Sequence, residues 1–462
     1  MADLDLFLIH HKKSITEAFE TIDRNTYGAV FVVDNDRRVL GIATDGDIRR
    51  WLIKSHDMEA PIESCMNKQF VHVRPSTPRE QVLKLLDHKI HVVPVIAESG
   101  HLIKVITRQF FPLKSERPVL ARSRSPVRVS FGGGGSDLTH YFVENGGVVV
   151  NATINMFAHA TLRKRQDSTI KIYSDDLKAH IEFVDIGQMK SAPGDFKLIA
   201  SVIGLINPSF GFELEVTSEF PMGSGLGGSS AVLSSVIGCF NQFREDRWSR
   251  HEIAELAFQA ERLALGMAGG WQDQYATVFG GFNFMEFKKE ENIVHSLRLT
   301  EDMLAELEES LVLCYAGGSH DSSEIHKDQK GEMQKDQIRQ LVAMNTDLTY
   351  KMKSQLLKGQ LRQFGQSLHE GWQFKRQLSA KISNPKLDRI YDLALECGAI
   401  GGKLLGAGGG GYFLFFVEPF KRCRLESALA EQGYQSHRVT FDQKGLQSWS
   451  VREDEVLQSS TT

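Results

Sequence analysis

The sequence predicts a globular chain of mixed helices and strands that is divided into about three domains. Its 462 residues are about three times the length of a typical domain. The first 115 residues contain a weak internal repeat, and three glycine clusters lie further along, each beside a predicted strand. Apolar residues make up 41% of the chain and charged residues 24%. These values are ordinary for globular proteins and exclude a wholly disordered, collagen-like or coiled-coil chain.

Charge and cysteine content exclude several classes of protein. The net charge is −4, so there is no overall basic surface for nucleic acid. Five cysteines lie far apart without a CxxC pair, and we therefore expect neither a disulfide framework nor a structural zinc site. The N-terminal apolar stretch is too short for a signal peptide, and no apolar window is long enough to span a membrane. A cytoplasmic protein is expected.

Residues 1–115 are predicted to form two helix–strand–strand units. Short apolar runs indicate the strands, and polar turns separate them. The predicted strands are residues 30–33, 39–43, 92–96 and 102–106. One helix is predicted to follow residues 46–47, and Thr77 caps another that runs to Ile90.

This repeat resembles a tandem pair of cystathionine-β-synthase-type (CBS) regulatory domains, with its best match at residues 41–47 (GIATDGD). The resemblance implies that Thr44 and Asp47 bind a regulatory nucleotide or a nucleotide sugar. The second copy, residues 104–110 (KVITRQF), has Phe110 where the Asp would fall, which argues against a second nucleotide site. The resemblance also implies a homodimer. The alternative is a module that is purely structural or dimerising.

The second glycine cluster, residues 221–231 (PMGSGLGGSSA), joins a predicted strand at 212–220 to a predicted buried helix at 231–240. Free backbone N–H groups and the positive end of the helix dipole meet at such a junction, which suits a phosphate group.

The second cluster contains GxGxxG, but its context does not fit a dinucleotide-binding unit. A second helical stretch, residues 252–265, follows where a strand would be needed. The cluster has no lysine for a Walker A loop, and the HRD and DFG strings of protein kinases are missing. Ser229 and Ser230 are placed where a hydroxyl could ligate Mg²⁺ beside a bound phosphate.

Two further glycine clusters and two acids complete the pattern. Residues 126–137 (PVRVSFGGGGSD) run from a strand-like stretch into four glycines, and residues 398–412 precede an apolar strand at 413–417. Glu261 lies on a predicted helix and Asp273 in a glycine-flanked loop, which suits one metal ligand and one base. Singly, each feature also fits a turn, a solvated helix residue or a helix cap. Together, in this order, they indicate phosphoryl transfer.

The three clusters resemble the motifs of the galactokinase, homoserine kinase, mevalonate kinase and phosphomevalonate kinase (GHMP) superfamily over residues 123–445. The resemblance implies an α+β fold class, with a ribosomal-protein-S5-like N-terminal lobe and a ferredoxin-like C-terminal lobe. The domains expected are the CBS module at 1–115, a linker at 116–122, the lobes at 123–290 and 291–450, and a flexible tail at 451–462.

Three strings, PVRVSFGGGGSDL, GGWQDQYA and GKLLGAGGGGYF, most resemble the heptose 7-phosphate kinases of this superfamily. The resemblance implies an ATP- and Mg²⁺-dependent kinase that phosphorylates the anomeric hydroxyl of a heptose 7-phosphate. The product would be a 1,7-bisphosphate for nucleotide-activated heptose and surface polysaccharide. The alternatives are a kinase for another sugar, such as fucose, and a nucleotide-sensing pseudokinase.

The family motifs imply a role for each matching residue. Asp273 would accept or orient the proton of the sugar hydroxyl, and Arg128 would pair with it and steady the phosphoryl group. Ser229 and Glu261 would ligate Mg²⁺, although either Ser229 or Ser230 could be the ligand. The residues expected to bind ATP are Pro221, Gly223, Ser224, Gly225, Leu226, Gly227, Gly228, Ser229 and Ser230. Those expected to bind the sugar are Gly133, Gly134, Asp137, Gly408 and Gly409.

A substrate that already carries a phosphate needs a cationic pocket. The candidates are Arg124, Lys375 and Arg376, and Lys403 could also reach a phosphate. We predict that Trp372 lies in the core and leave open whether His320, a lone loop histidine, faces the site.

Overall fold

The computed structural model describes residues 4–87, 90–108, 119–318, 325, 328 and 335–451. The chain divides into two compact units, Met1–Ser115 and Glu116–Thr462. The first strand of the second unit begins at Leu120, so the last three residues of the expected linker belong to a strand. Within the described ranges, every helix is too short or too polar to cross a membrane.

The first unit contains two small sheets packed against three helices. Strand β1 pairs in parallel with β2, which is antiparallel to β3, and β4 and β5 form a separate antiparallel pair. The helices are α1 (Ile15–Asn25), α2 (Asp45–Ser55) and α3 (Arg79–Asp87). The strands are β1 (Leu8–His10), β2 (Ala29–Val33), β3 (Val39–Thr44), β4 (Val92–Ile96) and β5 (Leu102–Thr107).

These elements follow from local sequence signals. All five residues of β2 and of β4 are buried, as expected of short apolar runs. Ser14 and Thr44 each cap a helix through a capping box, which satisfies two backbone N–H groups at once. Helix α3 is described from Arg79 to Asp87, and Ile90, its predicted last residue, is not helical. Phe110, the departure in the second repeat, lies outside the described residues.

The first half of the second unit is a mixed eight-stranded sheet. The long strand β7 pairs with β6 on one side and with β11 and then β10 on the other. The order continues from β11 to β12, from β10 through β8 to β9, and from β6 to β17. The strands are β6 (Leu120–Gly132), β7 (Gly147–Lys164), β8 (Ile170–Ser174), β9 (Ala179–Phe183), β10 (Phe212–Ser218), β11 (Phe282–Phe287), β12 (Asn292–Ser296) and β17 (Gln447–Val451).

Five α-helices accompany this sheet. They are α4 (Thr139–Asn145), α5 (Lys197–Ile206), α6 (Gly228–Asn241), α7 (Arg250–Phe258) and α8 (Gln272–Phe279). Helix α6 matches the predicted buried helix. Helix α7 passes into a π-helical turn, Gln259–Ala264, which carries Glu261.

The second half is a four-stranded antiparallel sheet in the order β14-β15-β13-β16, with helices packed against it. Its strands are β13 (Leu311–Tyr315), β14 (Ala399–Leu404), β15 (Tyr412–Val417) and β16 (Gln435–Arg438). Its helices are α9 (Glu301–Ser310), α10 (Asp336–Leu357), α11 (Leu361–Gln377), α12 (Pro385–Glu396) and α13 (Arg422–Glu431).

The division between the halves differs from the expected lobe boundaries. Strand β12, beyond the expected boundary after residue 290, pairs with β11 of the first sheet. Strand β17 returns from the C-terminal end to pair with β6 and includes Val451, the first residue of the expected tail. Residues 452–462 of that tail lie outside the described residues.

Strand β6 separates a shared core from a cavity. Val127, Val129 and Phe131 enter an apolar core that also contains residues of α10, α11, β13 and β15. Successive side chains of a strand point to opposite faces, so Arg128 and Ser130 face the other way and line a cavity. The alternation along one strand therefore joins the two halves and also places a charged side chain in the candidate site.

Candidate active site

A cavity of about 540 Å³ lies in the second unit, and all three glycine loops contribute to its wall. One part of the wall comes from β8, β10 and α5. Another comes from α10, α11 and the end of β14, and the second glycine loop, between β10 and α6, lies along the cavity as well. Elements far apart in sequence thus form one binding space.

Arg128 and Asp273 form a bidentate ion pair in this wall. Arg128 Nε lies 2.8 Å from Asp273 Oδ1, and a terminal guanidinium nitrogen lies 2.8 Å from Oδ2. The other terminal nitrogen donates to the carbonyl oxygen of Gly225 at 2.6 Å. Asp273 lies in the first turn of α8 rather than in a loop, where the helix dipole favours a negative charge. The geometry fixes a carboxylate beside the second glycine loop.

The second glycine loop ends at the N-terminus of α6. Gly227 precedes this helix with a positive φ of 78°, and no side chain caps the helix. Its first backbone N–H groups are therefore available to an anion in the cavity. The predicted loop residues in the cavity wall are Pro221, Gly223, Ser224, Gly225, Gly227, Gly228 and Ser229, and Met222 lies there as well.

Two of the predicted loop residues do not lie in the cavity wall. Leu226 is fully buried in the shared core, and its carbonyl oxygen accepts from the backbone N–H of Arg128 at 2.9 Å. Ser230 is also fully buried, and its hydroxyl is turned to Glu261. Both residues support the loop on the side that faces away from the cavity.

The second and third glycine loops pack backbone against backbone. A Cβ at Gly406 would lie 2.5 Å from Gly225 Cα, and one at Gly411 would lie 2.5 Å from the carbonyl oxygen of Ser224. No side chain fits such an approach, which explains the glycines at these positions. The third loop therefore supports the phosphate-facing loop directly.

The third loop meets the cavity at residues other than those predicted. Gly406 and Ala407 line it. Gly408 instead lies against Ile382, since a Cβ there would be 2.8 Å from Ile382 Cα, and the N–H of Gly409 donates to the Ile382 carbonyl. Gly408 and Gly409 thus fix the loop to its own half of the fold.

Glu261 is a buried carboxylate with three close polar partners. Its Oε1 accepts from Ser229 Oγ at 2.6 Å, and its Oε2 accepts from Ser230 Oγ at 3.0 Å and from Gln274 Nε2 at 2.6 Å. Arg262 lies 3.5 Å from Oε1. The partners of Oε2 are buried, whereas Ser229 and Glu261 both line the cavity.

Asp137 lies at the end of the first glycine loop. It accepts from the backbone N–H of Gly135 at 3.1 Å and of Gln272 at 3.3 Å. A Cβ at Gly270 would lie 1.8 Å from Asp137 Oδ2, so that glycine is needed for the carboxylate to fit. Burial raises the pKa of Asp137, and the nearby charge of Asp273 raises it further.

Gly134 lines the cavity beside Asp137, but Gly133 does not. With φ at +83°, Gly133 turns the chain against β7, where a Cβ would lie 1.9 Å from the carbonyl oxygen of Val148. Of the predicted sugar-binding residues, the structure therefore brings Gly134 and Asp137 together in the wall.

Family comparisons agree with this arrangement. Residues 196–281 match the GHMP kinases N terminal domain, residues 352–435 match the GHMP kinases C terminal domain, and residues 1–54 and 62–109 match the CBS domain. A Campylobacter jejuni protein named D-glycero-alpha-D-manno-heptose 7-phosphate kinase is 36% identical over 337 residues, which cover 71% of this chain and 99% of that protein. The chain belongs to the GHMP kinase family.

Two further similarities extend the comparison. A crystal structure titled as a D-glycero-D-manno-heptose 1-phosphate kinase from Bacteroides thetaiotaomicron matches with a TM-score of 0.61 and 29% identity, over 72% of this chain and 100% of that one. A bifunctional fucokinase/GDP-fucose pyrophosphorylase of Arabidopsis thaliana is 26% identical, over 72% of this chain and 33% of that protein. The predicted order of a CBS pair followed by a GHMP kinase is confirmed.

The side chains beside the second glycine loop offer suitable ligands for the Mg²⁺ that the resemblance implies. Serine hydroxyl and carboxylate oxygens are the hard donors that Mg²⁺ takes. Ser230 and Gln274 hold Oε2 of Glu261 from the buried side, while Ser229 and Glu261 face the cavity. The residues therefore fit the ion. Within the described ranges, no cluster of three or more His, Cys, Asp or Glu side chains offers another metal site.

Of the four basic side chains predicted as candidates for binding a substrate phosphate, two line the cavity and two do not. Lys375 and Lys403 line the cavity. Arg124 does not, because it binds Gln447 Oε1 through two nitrogens. Arg376 is 2.9 Å from Asp388 and is also outside the wall.

Two further predictions concern the side chains of Trp372 and His320. Trp372 is fully buried, so its predicted place in the core is confirmed. His320 lies outside the described residues.

Gln274 and Asn345 are two of the polar side chains of the site that the sequence analysis missed, and Ser130 and Gln272 in the cavity wall are two others. Gln274 donates to Glu261, and its place directly after Asp273 is the sequence signal that could have indicated a role in the site. Asn345 lines the cavity and donates to the carbonyl oxygen of Gly134 at 3.2 Å. It lies in the middle of α10 without any motif, so its partner is visible only in the folded chain.

In the CBS unit, Thr44 and Asp47 are brought together at the start of α2. Thr44 Oγ1 lies 2.6 Å from Asp47 Oδ2, and Arg50 pairs with the other carboxylate oxygen. Both predicted nucleotide ligands therefore already serve the helix cap, and both are partly exposed.

Proposed function

We propose that this chain transfers the γ-phosphoryl group of ATP to the anomeric hydroxyl of a heptose 7-phosphate, giving a heptose 1,7-bisphosphate for nucleotide-activated heptose and surface polysaccharide. The observation that carries the proposal is the Arg128–Asp273 pair beside an uncapped helix N-terminus in one cavity. The similarity to a protein named heptose 7-phosphate kinase supports the choice of acceptor.

The second glycine loop and the start of α6 would bind the ATP phosphates through backbone N–H groups. The sugar hydroxyl oxygen would attack the γ-phosphorus while the bond to the β,γ-bridging oxygen breaks, and the hydroxyl proton would pass to an oxygen of Asp273. Each carboxylate oxygen keeps a lone pair beyond its bond to Arg128, so the pair leaves room for that proton. Arg128 would orient Asp273 and face the transferring group.

Ser229 and Glu261 would hold Mg²⁺, which neutralises phosphate charge during transfer. Ser230 and Gln274 would orient Glu261 from behind, since both bond its inner oxygen. Supports of this kind fix the direction of a ligand oxygen.

The acceptor end of the cavity suits a polar ligand. Asp137, Ser130 and Gln272 line the cavity, and the backbone N–H of Gln272 donates to Asp137. Ser130 Oγ and Gln272 Oε1 are buried and have no hydrogen-bond partner among the described residues. Buried polar atoms are normally satisfied, so these two favour a ligand with several hydroxyl groups.

The test is to incubate the full chain with ATP, Mg²⁺ and a panel of sugars and sugar phosphates. ADP release, product mass and the position of the new phosphate by ³¹P NMR would be measured. We expect turnover on heptose 7-phosphate with the new phosphate at C1, and its loss in Asp273→Asn. A wild-type chain that releases no ADP with any acceptor would contradict the kinase assignment.

A second candidate keeps the kinase and changes the sugar. The 26% identity to a bifunctional fucokinase supports a free 6-deoxyhexose such as fucose as acceptor. Turnover on free fucose with silence on heptose 7-phosphate would favour this candidate over the first.

The CBS unit is proposed to bind a regulatory nucleotide or nucleotide sugar at Thr44 and Asp47. We also propose that the chain is a cytoplasmic homodimer, because CBS pairs commonly dimerise. The kinase rate of the full chain would be measured against adenine nucleotides and nucleotide sugars, for wild type and Asp47→Asn. A response that is identical in the two proteins would contradict the assignment, and light scattering after gel filtration would test the dimer.

A further inference from the structure

Two lysines in the cavity wall have backbone carbonyls, rather than carboxylates, as partners. Lys375 Nζ on α11 donates to the carbonyl oxygens of Leu404 at 2.7 Å and Gly406 at 2.6 Å. Lys403 Nζ on β14 donates to the carbonyl oxygen of Phe131 at 3.1 Å. In the part of the chain that the structure describes, neither ammonium group has a carboxylate within ion-pair distance.

These lysines and Arg128 form one cluster of positive charge. Burial lowers the pKa of Lys375 strongly, and the charges of Lys403 and Arg128 lower it further. Burial and the charge of Arg128 lower the pKa of Lys403 to about 7, while Asp137 acts in the opposite direction. Arg128 already has Asp273 as its counter-ion. Both groups are therefore costly to bury as ammonium ions unless a ligand brings negative charge.

We propose that Lys375 and Lys403 bind the phosphate group that the acceptor sugar already carries, and thereby select a sugar phosphate over the corresponding free sugar. This inference rests on the proposed function. A phosphate monoester carries a charge of about −1.5 to −2 near pH 7, which two ammonium groups would balance. After their carbonyl bonds, Lys375 retains one N–H donor and Lys403 retains two.

The placement of the lysines favours the acceptor phosphate over the γ-phosphate of ATP. Lys403 bonds the carbonyl of Phe131, directly before the first glycine loop, and it lies close enough to Asp137 to feel its charge. Helix α11, which carries Lys375, also contributes Gly371 to the wall. The proposed function assigns the nucleotide phosphates to the start of α6, and of the two lysines Lys375 is the one that bonds the loop packed against Gly225.

The experiment compares wild type with Lys375→Met and Lys403→Met in the full chain. Steady-state kinetics are measured with heptose 7-phosphate, with the matching free heptose and, separately, with varied ATP. We expect kcat/KM for the sugar phosphate to fall by about 10- to 100-fold in each variant, the range expected for losing one charge-assisted contact. The preference for the sugar phosphate over the free sugar falls by the same factor, and the KM for ATP stays within about threefold.

Lys386 offers a matched control. Its Nζ also donates to a backbone carbonyl, that of Ala316 at 2.8 Å, but it does not line the cavity. Lys386→Met is expected to keep the preference for the sugar phosphate. Thermal unfolding is recorded for every variant, and Lys403→Gln replaces Lys403→Met if the latter does not fold.

Three outcomes would overturn the inference. An equal fall of kcat/KM for both sugars would assign the lysines a structural role. A rise in the KM for ATP as large as that for the sugar phosphate would assign them to the γ-phosphate. A wild-type enzyme that uses free sugars but no sugar phosphate would contradict the proposed acceptor itself, which the wild-type arm reveals before any variant is made.

Discussion

Arg128 and Lys403 both place a cation against the same cavity, but the fold holds them in different ways. Arg128 is tied to Asp273 by two hydrogen bonds and to the glycine loop by a third. Lys403 has one carbonyl partner, and burial lowers its pKa. The paired cation is suited to fix geometry at the reaction centre, whereas the lysine, which lacks a counter-ion among the described residues, is suited to receive charge from a ligand.

The largest expected effect comes from replacing the carboxylate of Asp273 in the Arg128–Asp273 ion pair. Asp273→Asn keeps the size of the side chain but loses the proton acceptor, so kcat should fall by about 10² to 10⁴. The KM values for ATP and sugar should change much less, because Asp273 is proposed to act on the reacting hydroxyl. Steady-state kinetics and thermal unfolding measure both. A KM effect larger than the kcat effect would contradict a role in the chemical step.

The second largest effect is expected from a substitution of Arg128 that keeps the positive charge but changes its hydrogen-bonding geometry. Arg128→Lys keeps a positive charge but cannot make the two-point contact with Asp273 and the bond to Gly225 together. We expect kcat to fall by about 10² to 10³ and the unfolding temperature to fall as well, because lysine leaves some of the buried partners of Arg128 without a donor. A variant with nearly wild-type kcat would show that charge alone suffices at this position.

A smaller effect should separate the two serines. Ser229→Ala removes a hydroxyl that faces the cavity, so the Mg²⁺ concentration for half-maximal rate should rise by about tenfold, as is typical for a weakened metal site. Ser230→Ala is the matched comparison and should give a smaller shift, because its buried hydroxyl supports the inner oxygen of Glu261 and does not line the cavity. Activity titrated with Mg²⁺ measures both. A larger shift in Ser230→Ala would reverse the assignment.

Much of the site was predictable because glycine and acid positions are set by local geometry. The junction of β10 and α6 is visible in the sequence, since an alternating strand, a glycine run and an apolar helix follow one another. The role of Arg128 was implied by the family resemblance, and the structure adds that its side chain lies on the face of β6 opposite Val127 and Val129. Local patterns of this kind carry information about both the element and the side of it that a residue occupies.

The site positions that were not predicted depend on contacts between segments that are distant in sequence. Whether Gly406 or Gly408 meets the cavity is decided by how the third loop packs on Gly225 and on Ile382, which no local pattern records. Arg124 and Lys375 were equal candidates in sequence. Gln447 of the last strand binds Arg124, and the fold directs Lys375 to the cavity.

The smallest predicted effect is a pH dependence that marks the lysine end of the cavity. Lys403 has a pKa of about 7 in the free protein, and Arg128, Lys375 and Asp137 are the charges that face it. A bound phosphate raises the pKa of Lys403, so binding takes up a proton above about pH 7. The affinity for the sugar phosphate therefore falls as pH rises, by at most about tenfold per pH unit for one proton. Protonation of the sugar phosphate weakens binding below its own pKa of about 6.

The kcat/KM of the wild type for heptose 7-phosphate should therefore peak between about pH 6 and about pH 7. Lys403→Met should weaken the fall above pH 7 and leave the part that Lys375 contributes, while Lys386→Met should retain the whole of it, and identical profiles in all three proteins would exclude Lys403 as a titrating group.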